Sequence, residues 1–308
     1  MNLIEMVKAA GVVGAGGAGF PTHVKLNTNV EYFIVNAAEC EPLIETDKYL
    51  CRTFADRIIR TIPQIAEAIG ASKKVIALKG AYEKEIAALK VAIREQNSDV
   101  EIFELGYFYP AGDEQTLIQQ VTGRCVPERG LPSDVGCVVD NVGTVLNIAD
   151  ALEGKAVTEK YLSVVGEVEH PIQLRVPIGT PVLECVKAAH PTVSDFALIM
   201  GGPMMGKQLT EQAAMEQAVV TKTTGNILVL PKDHYLFRKA SLPMETVRKQ
   251  TKSACLQCKM CTELCPRYLI GHQIHPNLMM RGLWLEPTIT DNEEYLRMYG
   301  DRKSTRLN

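Results

Sequence analysis

The sequence is poor in aromatic residues, with one tryptophan and 6% aromatics among 308 residues, and it has no apolar run of about eighteen residues. No basic segment followed by a short apolar one is present, so neither a spanning helix nor a signal peptide is predicted. The sequence also has no large excess of either sign of charge, since 33 basic residues oppose 36 acidic ones for a formal net charge of -3. This balance gives no electrostatic basis for binding nucleic acid or an anionic membrane. We therefore expect a cytoplasmic protein with no nucleic-acid partner and no transmembrane segment.

A hydrophobic content of 46% over this length is enough to bury at least one large core, and the length predicts two or three domains. Five of the nine cysteines are scattered singly, which is typical of reduced thiols in a reducing compartment and not of a disulfide framework. These five are Cys40, Cys51, Cys125, Cys137 and Cys185.

The other four cysteines stand in the run CLQCKMCTELCP, as Cys255, Cys258, Cys261 and Cys265. This C-x2-C-x2-C-x3-C-P spacing is that of a bacterial ferredoxin 4Fe-4S cluster and predicts single-electron transfer. A zinc site usually pairs two C-x2-C elements across a longer insert, so the spacing favours iron and sulfur over zinc. In two-cluster ferredoxins the fourth cysteine ligates the other cluster, and this sequence contains no second run.

The hydrophobic periodicity divides the chain into three parts. In residues 1–158, strand patterns (YFIVN, VIALK, VEIFE, GCVVDNV) alternate with helical ones, which predicts an α/β layer with a ligand site at the strand ends. Residues 159–240 predict a small β-α-β unit, in which Thr180 caps a helix that begins at Pro181. Residues 241–301 are predicted to be helical around the cysteines.

A glycine-rich loop, GVVGAGGAGF, fits the dinucleotide fingerprint G-x-G-x-x-G at Gly14, Gly16 and Gly19. The ordinary Rossmann interpretation fails, because a helical pattern precedes the loop and too few residues follow it for a crossover helix. Two interpretations stay open. The glycines either form an anion-binding nest of backbone N–H groups or a tight turn packed on a helix.

Four separated segments resemble the flavin-site segments of the flavin-binding subunit of respiratory complex I and of the Rnf complex C subunit. They are GAGGAGFPTHVK, NAAECEP, YPAGDEQT and DNVGT, in that order. VVGEVEHPIQLRVPIGTPV resembles the soluble-ligand-binding β-grasp (SLBB) domain of these proteins. The opening AGVVGAGGAGFPTHVKLN and the stretch CTELCPRYLIGH are similar to the cobalamin reductases of propanediol utilisation.

The resemblance implies an α/β fold class: a complex I flavin-subunit-like α/β FMN domain over residues 1–158, an SLBB β-grasp domain over 159–240 and a helical ferredoxin-like 4Fe-4S domain over 241–301. We expect the last domain to be truncated, since such proteins continue with a second cysteine run. Residues 302–308 resemble translated adapter sequence, so a non-native tail is expected, with an ordinary polar terminus as the alternative.

The resemblance also implies roles for individual residues. FMN would be held at its phosphate and edge by Gly14, Gly16, Gly17, Gly19 and Lys25, at its isoalloxazine by Asn36, Glu39, Glu41, Gly112, Asp113 and Glu114, and on its ribityl-phosphate side by Asn141 and Thr144. Phe20 would stack on a nicotinamide dinucleotide, and Glu114 would hold its ribose or amide. Ala38 stands where complex I has an aspartate. No side chain is predicted to be catalytic.

The implied function is electron transfer from NADH through FMN to the 4Fe-4S cluster and then to cobalamin, serving a corrinoid adenosyltransferase among the components of a bacterial microcompartment. Two alternatives stay open. One is an Rnf-like electron-input subunit that delivers electrons to a protein partner. The other is a non-redox scaffold whose metal is structural.

Overall fold

The computed structural model describes residues 1–282. Its strands are β1 (Tyr32–Asn36), β2 (Lys73–Lys79), β3 (Glu101–Leu105), β4 (Cys137–Asn141), β5 (Glu159–Gly166), β6 (Ile172–Pro177), β7 (Phe196–Met200), β8 (Lys207–Leu209) and β9 (Asn226–Pro231). The helices are α1 (Leu3–Ala9), α2 (Thr22–Lys25), α3 (Thr46–Thr53), α4 (Ala55–Ala68), α5 (Glu83–Glu95), α6 (Glu114–Thr122), α7 (Val142–Leu152), α8 (Val182–Ala188), α9 (Gln212–Gln217), α10 (Tyr235–Ala240), α11 (Met244–Ala254), α12 (Met260–Glu263), α13 (Pro266–Leu269) and α14 (Pro276–Gly282), with a 3-10 turn at Pro132–Val135.

The first sheet is parallel, with the strand order β3-β2-β1-β4. Strands β1 and β4 are short apolar runs whose central residues are buried, as expected for a sheet covered by helices on either side. The strand order reverses between β1 and β4, and Asn36 and Asn141 are partners in register at the carboxyl ends of those two strands. In open α/β sheets, ligands bind in the crevice at such a reversal.

The apolar residues of helix α4 recur at helical spacing and pack on one face of the first sheet. Ile58, Ile62 and Ile65 recur at helical spacing and are fully buried against the first sheet. Gly70 follows the helix with a φ of 68°, a left-handed conformation that suits glycine after a helix end. The isoleucine spacing and Gly70 together account for the helix and its end.

The second sheet is mixed, with the order β6-β5-β9-β7-β8, and is larger than the β-α-β unit that the sequence predicts. The prediction left out two strands, β8 and β9, and β9 lies at the centre of the sheet. The predicted start of α8 is also shifted, because Pro181 takes the capping position and Val182 is the first helical residue. The Thr180 hydroxyl donates to the Pro177 carbonyl at 2.7 Å and so does not cap the helix.

Polar contacts join the two sheets. The hydroxyl of Thr46, on α3 of the first sheet's layer, donates to the Gly225 carbonyl at 2.7 Å and lies 3.3 Å from the hydroxyl of the buried Ser163 on β5. Lys160 on β5 reaches the glycine-rich loop and donates to the Ala15 carbonyl at 3.0 Å. The second sheet therefore forms one wall of the space at the carboxyl ends of the first sheet's strands.

The cysteine-bearing segment is helical, as predicted, and consists of α11 to α14 as far as the structure describes it. The expectations for residues 283–301 and for the tail at 302–308 lie outside the described residues. Within residues 1–282, no helix combines the length and the apolar character needed to cross a membrane.

Candidate functional site

A cavity of about 1870 Å³ lies at the carboxyl ends of β1 and β4, between the two sheets. The structure brings nearly all of the predicted flavin-site residues to its wall. They are Gly14, Gly16, Gly17, Phe20, Lys25, Asn36, Glu39, Glu41, Gly112, Asp113, Glu114, Asn141 and Thr144. Gly19 is the exception, since it does not line the cavity and instead closes the loop by donating to the Gly14 carbonyl at 3.2 Å.

The glycine-rich loop turns back on itself before α2. Its ends are joined by the Gly14 N–H, which donates to the Phe20 carbonyl at 2.9 Å. Gly17 has a φ of 119°, which side-chain-bearing residues rarely adopt. Among the described residues, the N–H groups of Gly16, Gly17 and Ala18 donate to no protein acceptor, although all three residues line the cavity. Successive unpaired amides of this kind form an anion-binding concavity.

Lys25 lies between two carboxylates. Its ammonium is 2.9 Å from Glu114 and 3.7 Å from Asp140. Burial lowers the pKa of Lys25, but the attraction of Asp140 and Glu114 outweighs it and the pKa is raised. Burial raises the pKa of Asp140 to about 6, against the attraction of Lys25, and one Asp140 oxygen has no partner. An unpartnered buried oxygen on the cavity wall is where a ligand group or water would bind.

A second buried group of charges lies under the glycine-rich loop. Asp47 on α3 is hydrogen-bonded by the Asn141 amide at 2.6 Å, and burial raises the pKa of its carboxyl. Burial, together with the charge of Asp47, raises the pKa of Glu39 to about 7. Burial lowers the pKa of Lys160 to about 8, although Asp47 opposes this. The site therefore holds several groups that change protonation near neutral pH.

Several predicted residues use their polar groups to shape the wall. The Asn36 side chain donates to the Gly112 carbonyl at 2.8 Å and accepts from the Ala38 N–H at 3.0 Å. Thr144, fully buried, accepts from the Ala15 N–H at 2.9 Å.

Glu41 and Phe20 lie nearer the opening. One Glu41 oxygen accepts from the Met204 N–H at 2.9 Å, and the other has no partner. The Phe20 side chain is 51% exposed while lining the cavity, so it presents an aromatic face at the rim.

The cysteine run directly precedes α13, whose Arg267 lines this cavity. Cys258 and Cys261 are exposed and Cys255 and Cys265 half-buried, and the intervening Gln257 and Lys259 both have positive φ. Within residues 1–282 no three histidine, cysteine or acidic side chains converge on a metal-sized site, so the thiols are not gathered in this structure. The donor set itself, four thiols at ferredoxin spacing, matches an iron–sulfur cluster.

The segment is fixed to the first sheet by Arg267, two residues after Cys265. Its guanidinium donates to Asp113 at 2.6 Å and also to Gln115, and the side chains of Arg267 and Asp113 are only 10% and 6% exposed. His272 packs nearby, with its ring 2.9 Å from the Val126 carbonyl oxygen.

Sequence reasoning missed Asp47, Asp140, Lys160 and Arg267. Asp140 directly precedes the predicted Asn141 and could have been found there. The other three come from α3, β5 and α13, and no local pattern marks them.

Two family models match the chain. Residues 7–150 match the Nuo51 FMN-binding domain, and residues 254–300 match a 4Fe-4S dicluster domain. Residues 7–150 thus carry the complex I type of FMN-binding domain, and residues 254–300 carry a 4Fe-4S domain.

Among curated proteins, the chain is 47% identical to the cobalamin reductase PduS of Citrobacter freundii, over 91% of this chain and 61% of that protein. It is 34% identical to one component of the Na⁺-translocating ferredoxin:NAD⁺ oxidoreductase complex of Acetobacterium woodii, again over 91% and 61% of the two chains. The chain therefore spans about three fifths of the length of these relatives.

Among solved structures, a chain of an NAD⁺-reducing [NiFe]-hydrogenase in the H₂-reduced state superposes with a TM-score of 0.67 at 23% identity. The match covers 86% of this chain and 52% of that one. At this identity the likeness concerns the fold, and it confirms the predicted flavin-subunit-like α/β architecture.

The cavity residues fit a flavin mononucleotide. The unpaired amides of Gly16, Gly17 and Ala18 suit a phosphate, and a cavity of about 1870 Å³ is ample for a flavin. The carboxylates of Glu39 and Glu41 and the amide of Asn36 line the same wall.

Proposed function

We propose that the chain is the flavin and iron–sulfur electron-transfer part of a corrinoid reductase, taking electrons from NADH and delivering them to cobalamin. Support for the acceptor comes from the 47% identity to PduS, which extends over 91% of the chain and includes the cysteine run. Support for the internal path comes from the buried Arg267–Asp113 ion pair, which links the cysteine segment to the cavity wall.

FMN, when bound, accepts two electrons as a hydride and can release them singly, whereas a 4Fe-4S cluster takes one at a time. The residues of this chain would hold and enclose the flavin. We assign the phosphate to the amides of the glycine-rich loop, with Gly14, Gly16 and Gly17 allowing close approach of the backbone. Gly19 closes the loop.

The remaining predicted residues divide by their position in the cavity. Lys25 is held by Glu114 and Asp140, which fixes a positive charge beside the nest. Asn36, Glu39 and Glu41, with Gly112 and Asp113, would line the isoalloxazine. Phe20, exposed at the rim, would stack on the nicotinamide dinucleotide.

The cysteine segment would receive electrons from this cavity. Arg267 lies in the cavity wall and only two residues after Cys265, which supports a short path from a flavin bound in the cavity to the cluster ligands. Cys255, Cys258, Cys261 and Cys265 are the proposed ligands.

The direct test is anaerobic. Purified protein reconstituted with FMN, iron and sulfide is mixed with NADH and hydroxocobalamin, and corrinoid reduction is followed by absorbance. We expect a rate well above that of an equal concentration of free FMN. A rate equal to free FMN would reject cobalamin as the acceptor.

A second candidate is an Rnf-like electron-input subunit, favoured by the 34% identity to the Acetobacterium woodii protein over the same 91% of the chain. The two candidates share cofactors and differ in acceptor. With ferredoxin or flavodoxin in place of hydroxocobalamin, NADH-dependent reduction of the protein acceptor alone would favour this alternative. The corrinoid adenosyltransferase and the microcompartment components remain proposed partners, to be tested by co-purification.

A further inference from the structure

Buried side chains hold both backbone polar groups of Ala15, which belong to two successive peptides, Gly14–Ala15 and Ala15–Gly16. The Ala15 N–H donates to the Thr144 hydroxyl at 2.9 Å, and the Ala15 carbonyl accepts from the Lys160 ammonium at 3.0 Å. Thr144 belongs to α7 beneath the first sheet, whereas Lys160 belongs to β5 of the second sheet. Lys160 is 8% exposed, so this contact is a buried, charge-assisted hydrogen bond.

The orientation of the next amide follows from this contact. In a planar trans peptide, the carbonyl of one residue and the N–H of the next point in opposite directions. Binding the Ala15 carbonyl to Lys160 therefore directs the Gly16 N–H the other way. Among the described residues that N–H meets no acceptor, and neither do those of Gly17 and Ala18, which follow it along the cavity wall.

Asp47 is the charged group that faces Lys160. It is itself buried and bound by the Asn141 amide at 2.6 Å. An ammonium kept in this position costs desolvation, which a lysine pointing into solvent would avoid. The position of Lys160 is therefore better explained by its hydrogen bond to the glycine-rich loop than by a contribution to stability alone.

We propose that Lys160 is a positioning residue for the FMN phosphate: it fixes the Ala15–Gly16 peptide so that the loop amides face the cavity. The second sheet thereby completes the phosphate-binding part of the flavin site. This inference rests on the proposed flavin site and adds a residue that lies outside the matched FMN-binding domain, which ends at residue 150.

The test compares FMN with riboflavin, which lacks the phosphate, by titrating flavin-free protein and following flavin fluorescence. For K160M we expect the affinity for FMN to fall about tenfold or more, since hydrogen bonds to charged groups are worth this much. The affinity for riboflavin should change less than about twofold. T144V, which releases the Ala15 N–H in the adjacent Gly14–Ala15 peptide, should show the same selective loss.

The matched control is K187M, which removes an exposed lysine of α8 paired with Glu184 in the same part of the chain, and it should change neither affinity. An equal loss of FMN and riboflavin binding in K160M would overturn the inference, because it would indicate general unfolding of the site. Unchanged FMN binding in K160M would also overturn it. Failure of the unsubstituted protein to bind either flavin would overturn the proposed function itself, and the inference with it.

Discussion

The guanidinium of Arg267 and the carboxylate of Asp113 form a buried ion pair at 2.6 Å, which fixes the cysteine-bearing segment to the wall of the cavity. Asp113 also caps α6 by accepting from the Thr116 N–H at 3.0 Å. One carboxylate thus starts a helix of the first sheet's layer and anchors the segment that carries the proposed cluster ligands.

Replacing Arg267 should loosen this segment. R267M leaves Asp113 without its buried counter-charge, and breaking one side of a buried pair costs about 3–5 kcal/mol. We expect hydrogen exchange to speed up at the His272 amide, which donates to the Arg267 carbonyl at 3.0 Å, and cluster reduction by NADH to slow. Substitution of the exposed Arg238 by methionine should change neither quantity. Unaltered exchange in R267M would contradict the anchoring role.

Gly112 should not tolerate a side chain. A Cβ at this position would lie 2.1 Å from the Ala38 carbonyl oxygen, so the backbone of the NAAECEP segment would have to move. We expect G112A to lower the melting temperature and to weaken flavin binding. G106A is the matched control, because the nearest atom to its Cβ, on Phe108, is at an ordinary 3.8 Å. Equal melting temperatures for the two variants would refute this expectation.

Asp140 should make the free energy of unfolding fall as the pH rises from about 4 to 7. Its pKa is about 6 in the folded protein, above the 3.8 of an unperturbed aspartate, so between these values the folded state binds more protons than the unfolded one. Its contribution to stability is therefore fully present only below about pH 3.8 and is lost as the pH rises through 6, by about 3 kcal/mol in all.

D140N removes this titration. We expect urea unfolding to show D140N gaining about 2 kcal/mol relative to the unsubstituted protein between about pH 4 and pH 7. Measuring the difference between the two proteins cancels the titration of other groups. A difference that stays constant with pH would show that Asp140 does not titrate in this range.

The cysteines are expected to differ in their importance for iron. If the fourth cysteine serves a second cluster, C265S should leave the iron content and the visible absorbance of the reconstituted protein nearly unchanged, whereas C258S should abolish both. C125S, at an exposed single cysteine, is the control. Equal loss of iron in C258S and C265S would assign all four thiols to one cluster.

The prediction of the first sheet succeeded because its determinants are local. Strand β1 is a short apolar run, α4 repeats isoleucine at helical spacing, and Gly70 ends that helix. The second sheet was predicted incompletely. β9 pairs with β5 and β7, which precede it by about sixty and thirty residues, and a local pattern does not specify such distant partners.

The sequence by itself determined the cysteine spacing, the alternation of strands and helices in the first part, and the glycines that allow a chain reversal before α2. Only the tertiary structure decided that Lys160 would hold Ala15, that Asp47 and Asp140 would be buried at the cavity, and that Arg267 would pair with Asp113. The physical reason is that spacing acts within a few residues, whereas burial and ion pairing depend on which distant elements pack together.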